Sequence, residues 1–348
     1  MILGRLRKGF PIVGFAVVVF FGTAPADASG VSRTSLLNLE ALAIAGYSRE
    51  KGPSTPDRNL PRNAVGFEYF ARFSGPRGDF LGANLQARLS YHEFPHGPDH
   101  WGVEIHNAWI EYRLGLGRNI AVGHIAPAFG LEPEVDTHAA LLQTLAGQDV
   151  GFKKDWGLVY SGMAGPLDFQ AGAQLGSGMG IRAGDGAHLL TARAAMEPAH
   201  GLRIGASALT GRVAGSMGHF TVPRPKYTGE TTRKHRLGLD IQAEVRTWNF
   251  LAELSGGKNA DADVFGALGE VRRAFPEMRN ATLAVQSRYW SDDPGRSDRA
   301  DAELNASLSV PITAPLTARL GVFRDVRRRA PHKEDTRVFL QLYYFGFP

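Results

Sequence analysis

Leu167-Asp168-Phe169-Gln170-Ala171-Gly172-Ala173-Gln174-Leu175 decides how this chain folds. Leu167, Phe169, Ala171, Ala173 and Leu175 alternate with Asp168, Gln170, Gly172 and Gln174. Period two puts the apolar residues on one face of a strand and the polar ones on the other. A tight turn at Gly165-Pro166 precedes it, and Trp156-Gly157-Leu158-Val159-Tyr160 comes before the turn. Further upstream lies a long connection carrying Glu132, Glu134, Asp136 and His138, with a helix-like patch over 139–146. An apolar run, Ile120 to Ile125, leads into it. Strand, long connection, strand, tight turn, strand is the unit that residues 119–176 define.

Working outward, the unit repeats in both directions. Leu81, Ala83, Leu85, Ala87, Leu89 and Tyr91 alternate with Gly82, Asn84, Gln86, Arg88, Ser90 and His92. Leu237, Leu239, Ile241, Ala243 and Val245 oppose Arg236, Asp240, Gln242, Glu244 and Arg246. Leu304, Ala306, Leu308 and Val310 oppose Glu303, Asn305, Ser307 and Ser309. Read this way the chain holds about sixteen strands, and its connections alternate in length. One side receives 48–62, 92–102, 126–155, 176–187, 210–234, 256–262, 291–300 and 325–335; the other receives seven shorter turns. Only 256–262 breaks the rule, being no longer than the turn expected at 274–280.

A soluble sandwich also alternates. Two features favour a transmembrane antiparallel β-barrel. Aromatics gather at strand ends (Tyr91, Trp101, Tyr112, Trp156, Tyr160, Trp248, Tyr289 and Trp290), as interfacial girdles require. The chain also closes on Phe339-Leu340-Gln341-Leu342-Tyr343-Tyr344-Phe345-Gly346-Phe347-Pro348, an aromatic-rich last strand in which both faces are apolar.

Composition agrees. Mean hydropathy of −0.17 with 21% charged residues is wrong for a bundle of membrane helices and ordinary for a barrel in which alternate residues meet lipid. The absence of cysteine excludes disulfides, thiol nucleophiles, Cys-ligated metals and Cys-x-x-Cys-His haem attachment. The formal charge of +5 is too mild, and too scattered, for nucleic-acid binding. Residues 1–28 have the form of a cleavable signal peptide: basic Arg5, Arg7 and Lys8, an apolar core from Ile12 to Phe21, and Ala26-Asp27-Ala28 before the cut. The barrel is then expected over 29–348, in the outer membrane of a bacterial cell.

Val122-Gly123-His124-Ile125-Ala126-Pro127-Ala128-Phe129-Gly130-Leu131-Glu132, with Asp149-Val150-Gly151 further on, resembles a segment of the bacterial outer-membrane porins of the phosphate-selective O and P type. The resemblance covers about thirty residues and is architectural beyond them. It implies a homotrimeric channel for anions, phosphate among them. That family's binding lysines and arginines have no residue-by-residue match in this chain, and Lys153 and Lys154 stand only as candidates.

In such a barrel the third long loop, 126–155, folds inward. Its acids Glu132, Glu134 and Asp136 then face a basic wall and set up a charge ring that selects ions. By parity the wall comprises Arg72, Arg88, Arg113, Arg193, Arg203, Arg236, Arg246, Arg288, Arg319 and Arg337. The inward acids are Glu68, Glu111, Asp168, Asp240, Glu244, Glu253 and Glu303. Ten against seven leans toward anions. The competing expectation is that these charges pair across neighbouring strands and only keep the lumen wet. Leu141, Leu142 and Leu145 in the helix-like patch need burial, inside the barrel or as a cap on it.

His92-Glu93-Phe94-Pro95-His96 matches H-E-x-x-H, but Pro95 breaks the helix that a zinc site needs. His96, His100 and His106 with Asp99 remain a loop cluster of metal-ligand type. Neither a P-loop, a dinucleotide fingerprint nor a G-x-S-x-G elbow occurs, so no cofactor is expected and the chain reads as a channel rather than an enzyme. The expected function is a porin for passive diffusion of small polar solutes, leaning to anions. The alternative is a structural sheath around a partner such as a periplasmic or outer-membrane cytochrome; an outer-membrane lipase is a third reading.

Overall fold

The computed structural model describes residues 30–50, 52–54, 63–91, 101–115, 117–181, 186–214, 231–329 and 333–347. The expected signal peptide, the His92–His96 motif and the His96, His100 and Asp99 cluster lie outside the described residues. The strands are β1 (Ser32–Ser48), β2 (Gly52–Ser54), β3 (Ala64–Gly75), β4 (Gly78–Tyr91), β5 (Trp101–Gly115), β6 (Arg118–Ile125), β7 (Asp155–Ala164), β8 (Leu167–Gln174) and β9 (His188–Ala199). They continue as β10 (Leu202–Ala214), β11 (Thr231–Val245), β12 (Trp248–Asn259), β13 (Ala262–Phe275), β14 (Ala281–Ser291), β15 (Ala300–Pro311), β16 (Leu316–Arg327) and β17 (Thr336–Gly346). A single helical turn, α1 (Ala146–Asp149), lies between β6 and β7.

β2 is a three-residue strand paired with the end of β1. Each of the other sixteen pairs antiparallel with its neighbours in sequence, and β17 returns to pair with β1 from Leu39↔Gly346 to Ser48↔Arg337. The sheet therefore closes on itself and leaves no edge. The expected sixteen-stranded antiparallel barrel is what the chain forms.

Alternation sorts the side chains as read from the sequence. Leu237, Leu239, Ile241, Leu304, Leu320 and Leu340 point out, and Leu237 is 71% exposed on the isolated chain. Arg236, Asp240, Asn305 and Gln341 point in and are buried. A closed barrel with aliphatic residues exposed all round its outer face has the surface of a lipid-embedded barrel. Among the described residues no helix is long and apolar enough to cross a membrane; the crossing elements are strands. Tyr91 and Trp101 stack edge-on with ring centroids 5.1 Å apart at one rim, while Trp248 stacks with Phe250. Trp290 departs from the girdle expectation. It faces the interior and is 4% exposed.

Strand lengths correct the sequence reading at one place, and a bulge adds a second departure from simple alternation. The connection expected at 256–262 is only the pair Ala260-Asp261, because β12 and β13 run to Asn259 and from Ala262. Ala260 takes the left-handed φ of 51° that a two-residue hairpin demands. At β5 the pairing jumps from Gln86↔Asn107 to Ala87↔Ile105. This bulge leaves His106 as the extra residue.

The chain's own β6–β7 connection enters the interior, and three apolar clusters fix where it packs. Leu141 and Leu142 meet Leu42, Ile44, Ala284, Phe323 and Phe339 of β1, β14, β16 and β17. Leu131, Val135 and Leu145 meet Leu251 and Leu268 of β12 and β13. Phe129, Val150 and Phe152 meet Leu189, Leu209 and Val213 of β9 and β10. Burying each leucine or phenylalanine contributes about 1.5–3 kcal/mol, so the three contacts hold the connection firmly against three arcs of the wall.

Candidate functional site in the barrel interior

After Ile125, Pro127 and Gly130 turn the backbone across the barrel. The Ala128 N–H donates to Thr191 Oγ1 at 3.1 Å and the Gly130 N–H to Ser207 Oγ at 3.1 Å. Gly130 sits at φ +61°, and a Cβ there would lie 1.9 Å from Glu253 Oε1. Only glycine meets both conditions. Gly130→Ala is therefore expected to destabilise the folded barrel by about 1–3 kcal/mol, read as a lower guanidinium midpoint in detergent. An unchanged midpoint would show that the close packing on Glu253 carries no weight.

From Thr137 the segment reaches β1 and β4. His138 Nε2 lies 2.6 Å from Glu40 Oε1 and 3.0 Å from Gln86 Nε2. Its ring stands edge-on to that of His106, with centroids 4.2 Å apart. Ala139 adopts φ 55°, and its carbonyl accepts from Arg319 at 3.1 Å. The Gln143 carbonyl accepts from Gln286 at 3.1 Å. Beyond α1 the Val150 carbonyl accepts from Lys234 Nζ at 2.7 Å. The return into β7 is locked by Asp155, whose carboxylate accepts N–H bonds from Trp156, Gly176, Ser177 and Gly178.

The acids of this segment take three different surroundings. Glu134 bridges Arg193 at 2.6 Å and Arg203 at 3.4 Å. Glu132 accepts from the Thr137 and Thr144 hydroxyls. Asp136 accepts the His138 N–H at 2.8 Å. Lys153 donates to Thr137 Oγ1. Burial pushes its amine down to about 8, against the pull of Glu132 and Asp136. Lys154 is lowered for the same reason. Asp149 is raised to about 6 by burial, opposed by the Ser255 hydroxyl and by Arg236.

Most of the wall arginines are held in ion pairs. Arg88 meets Glu104 at 2.6 Å and Glu40 at 3.7 Å. Arg193 clasps Asp240 through both Nε and Nη2. Its path from β9 to β11 crosses β10 at Gly205, where a Cβ would lie 2.5 Å from both partners. Arg203 meets Asp168 at 2.6 Å. Arg236 lies 3.6 Å from Asp149 and donates to the Lys258 carbonyl. Arg288 pairs with Glu303 at 3.0 Å and Arg337 with Asp325 at 2.9 Å. Arg319 bonds Gln341 and stands 5.0 Å over the Tyr343 ring. Arg72 and Arg113 share Asp79 at 3.3 and 3.2 Å, nearer the end of the barrel with short turns, and both are more than a third exposed.

Arg246 is a correction. It occupies the β11–β12 turn at φ 57° and is exposed, so it is no part of the wall. The helix-like patch over 139–146 is a second one, since within this connection helix occurs only at Ala146–Asp149. Sequence parity also missed the acids that matter most here. Glu40 and Glu104 are nearly fully buried beside Arg88, and Asp325 does the same for Arg337. Alternation within β1 and β16 was the available signal for Glu40 and Asp325, whereas the bulge at His106 reverses the count in β5 and hid Glu104.

Among the described residues no cluster of His, Cys, Asp or Glu has the arrangement of a metal site. His106 comes near Glu104 at 3.9 Å but lies in the inner wall.

No sequence-family profile matches the chain, and no curated protein matches it in sequence. Its fold does have counterparts. An anion-selective porin from Comamonas acidovorans superposes with a TM-score of 0.60 at 8% identity, over 90% of this chain and 99% of the other. The outer-membrane channel DcaP of Acinetobacter baumannii gives 0.57 at 12% identity, over 92% and 98%. OmpT of Vibrio cholerae, an outer membrane protein solved in trimer form, gives 0.56 at 10% identity, over 90% and 99%. These likenesses establish a porin-like barrel fold.

Proposed function

We propose that the protein is a bacterial outer-membrane channel for the passive diffusion of small polar solutes, narrowed by its own segment 126–154. One observation carries this reading: a closed barrel with an aliphatic exterior encloses a charged interior, and that segment crosses the interior instead of leaving it open. A homotrimer is the assembly proposed, by analogy with the trimer form of the Vibrio protein. A sheath around a cytochrome is disfavoured, because segment 126–154 takes up the space a threaded partner needs.

Selectivity is the narrower part of the proposal. Anions, phosphate included, are what the resemblance at 122–132 implies, and the Comamonas protein is titled anion-selective. The paired wall weakens that lean, since most of the arginine charges have a carboxylate at contact distance, Arg319 being the exception. Lys153 and Lys154 are then the cations best placed to add a net positive bias near Glu132.

Planar-bilayer conductance with a salt gradient tests both parts. Small, steady single-channel steps are expected, with a reversal potential near neutral or weakly anionic at pH 7. Lys153 is charged below about 8 and neutral above it. Raising the pH from 7 to 9 is therefore expected to move the reversal potential toward cations, and Lys153→Gln to remove most of that movement. A folded protein without conductance overturns the channel reading. A pH response that survives Lys153→Gln assigns it to another group.

A further inference from the structure

The interior holds a cavity of about 120 Å³ between residues 141–148 of the crossing segment and strands β14 to β17. That is several times the ~10–15 Å³ that holds one water. Four amides line it: Gln143, Gln148, Gln286 and Asn305. Each has a buried side-chain oxygen with no hydrogen-bond partner. Gln143, Gln286 and Asn305 are all more than nine-tenths buried.

The orientation of three of these amides is fixed by their nitrogens. Gln143 Nε2 donates to the Ala140 and Thr137 carbonyls. Gln286 Nε2 donates to the Gln143 carbonyl and to Glu270. Asn305 Nδ2 faces Glu303 at 3.5 Å. Flipping any of them would set oxygen against oxygen, so the free groups are acceptors. Buried acceptors without donors are costly, and a ligand that brings donors relieves them.

The charges around the cavity narrow the class. Arg288, Arg328 and Arg337 line it and are engaged by Glu303 and Asp325 at 2.9 to 3.4 Å. An anion would find those guanidiniums occupied and the carbonyl oxygens repulsive. A cation would meet the guanidiniums themselves. A neutral solute rich in hydroxyls donates to the carbonyls of Gln143, Gln286 and Asn305 and meets neither repulsion, and Phe323 and Trp290 give it an apolar edge. We propose that this cavity is a binding site for a neutral polyhydroxylated solute of monosaccharide size. The proposal deepens the channel reading by naming a solute class, but the site does not need conduction to be detected.

The test is saturation-transfer NMR with D-glucose on the folded full chain in a sugar-free detergent, repeated with Asn305→Leu and Gln143→Leu. Saturable binding is expected with a dissociation constant of about 1–10 mM, a range typical of few hydrogen bonds. Each variant should weaken it about tenfold, and excess succinate should not compete. Absence of saturable binding up to about 100 mM makes this a water-filled cavity and overturns the proposal. Competition by succinate, or binding unchanged in both variants, overturns it as well. Heat-modifiable gel migration confirms that the variants fold. Binding without bilayer conductance would sink the channel and keep the site; conductance without binding would do the reverse.

Discussion

Replacing Leu141 and Leu142 together by alanine is expected to raise single-channel conductance severalfold while the barrel itself stays folded. Both side chains are buried against Leu42, Ile44, Phe323 and Phe339 on the inner wall. Each truncation removes about 2–5 kcal/mol where the surroundings cannot collapse, and a rigid barrel wall collapses little. The two sites touch the same cluster, so their effects will not add simply. Even so, the sum rivals what a single apolar contact supplies to dock the segment. Closure of the barrel by β1 against β17 does not involve these leucines. Heat-modifiable migration should therefore persist while the segment swings away from β16 and β17. If the conductance of the variant equals that of the parent, the segment is not what narrows the channel. If migration is lost as well, the cluster is part of the barrel's own stability rather than a docking point.

These leucines also show where sequence reading stopped. Period two located the strands and told inside from outside for nearly every one, because lipid and lumen impose opposite preferences on adjacent residues. Pairing within the interior was not legible. Parity says that Arg193 and Asp240 both point inward; it does not say that Gly205 leaves room for them to meet across β10. The inward apolar residues were visible yet unread. Leu42, Leu251, Leu268, Phe323 and Phe339 break the rule that the lumen face is polar, and each marks a place where the crossing segment packs. The two apolar faces of the closing strand now have separate explanations: Leu340 and Leu342 are exposed on the outside, and Phe339 is buried within. The patch over 139–146 misled for a related reason. Leu141 and Leu145 have the i, i+4 spacing of one helix face. In the folded protein they join different clusters on separate arcs of the wall, and Ala139 at φ 55° breaks the helix before it starts.

Arg193→Ala is expected to be the most damaging single substitution in the wall. Arg193 is the hub of a four-residue network in which Asp240 is held bidentately and Glu134 joins Arg193 to Arg203. The Asp240 side chain has no solvent exposure and that of Arg193 has 2%. Removing the guanidinium leaves Asp240 charged, buried and unpaired, which typically costs about 3–5 kcal/mol. Arg203 keeps Glu134 partly neutralised, so the loss should concentrate on Asp240. That makes a compensating change informative. Asp240→Asn in the Arg193→Ala background removes the stranded charge and should recover a large part of the lost stability, measured as the guanidinium midpoint of the refolded barrel. A double-mutant cycle then yields the coupling between the two side chains directly. A cycle with no coupling would mean that water reaches Asp240 once the arginine is gone, and that the interior is wetter than its packing implies. Full recovery would mean that the pair contributes orientation more than stability, holding Glu134 and the crossing segment where they narrow the lumen.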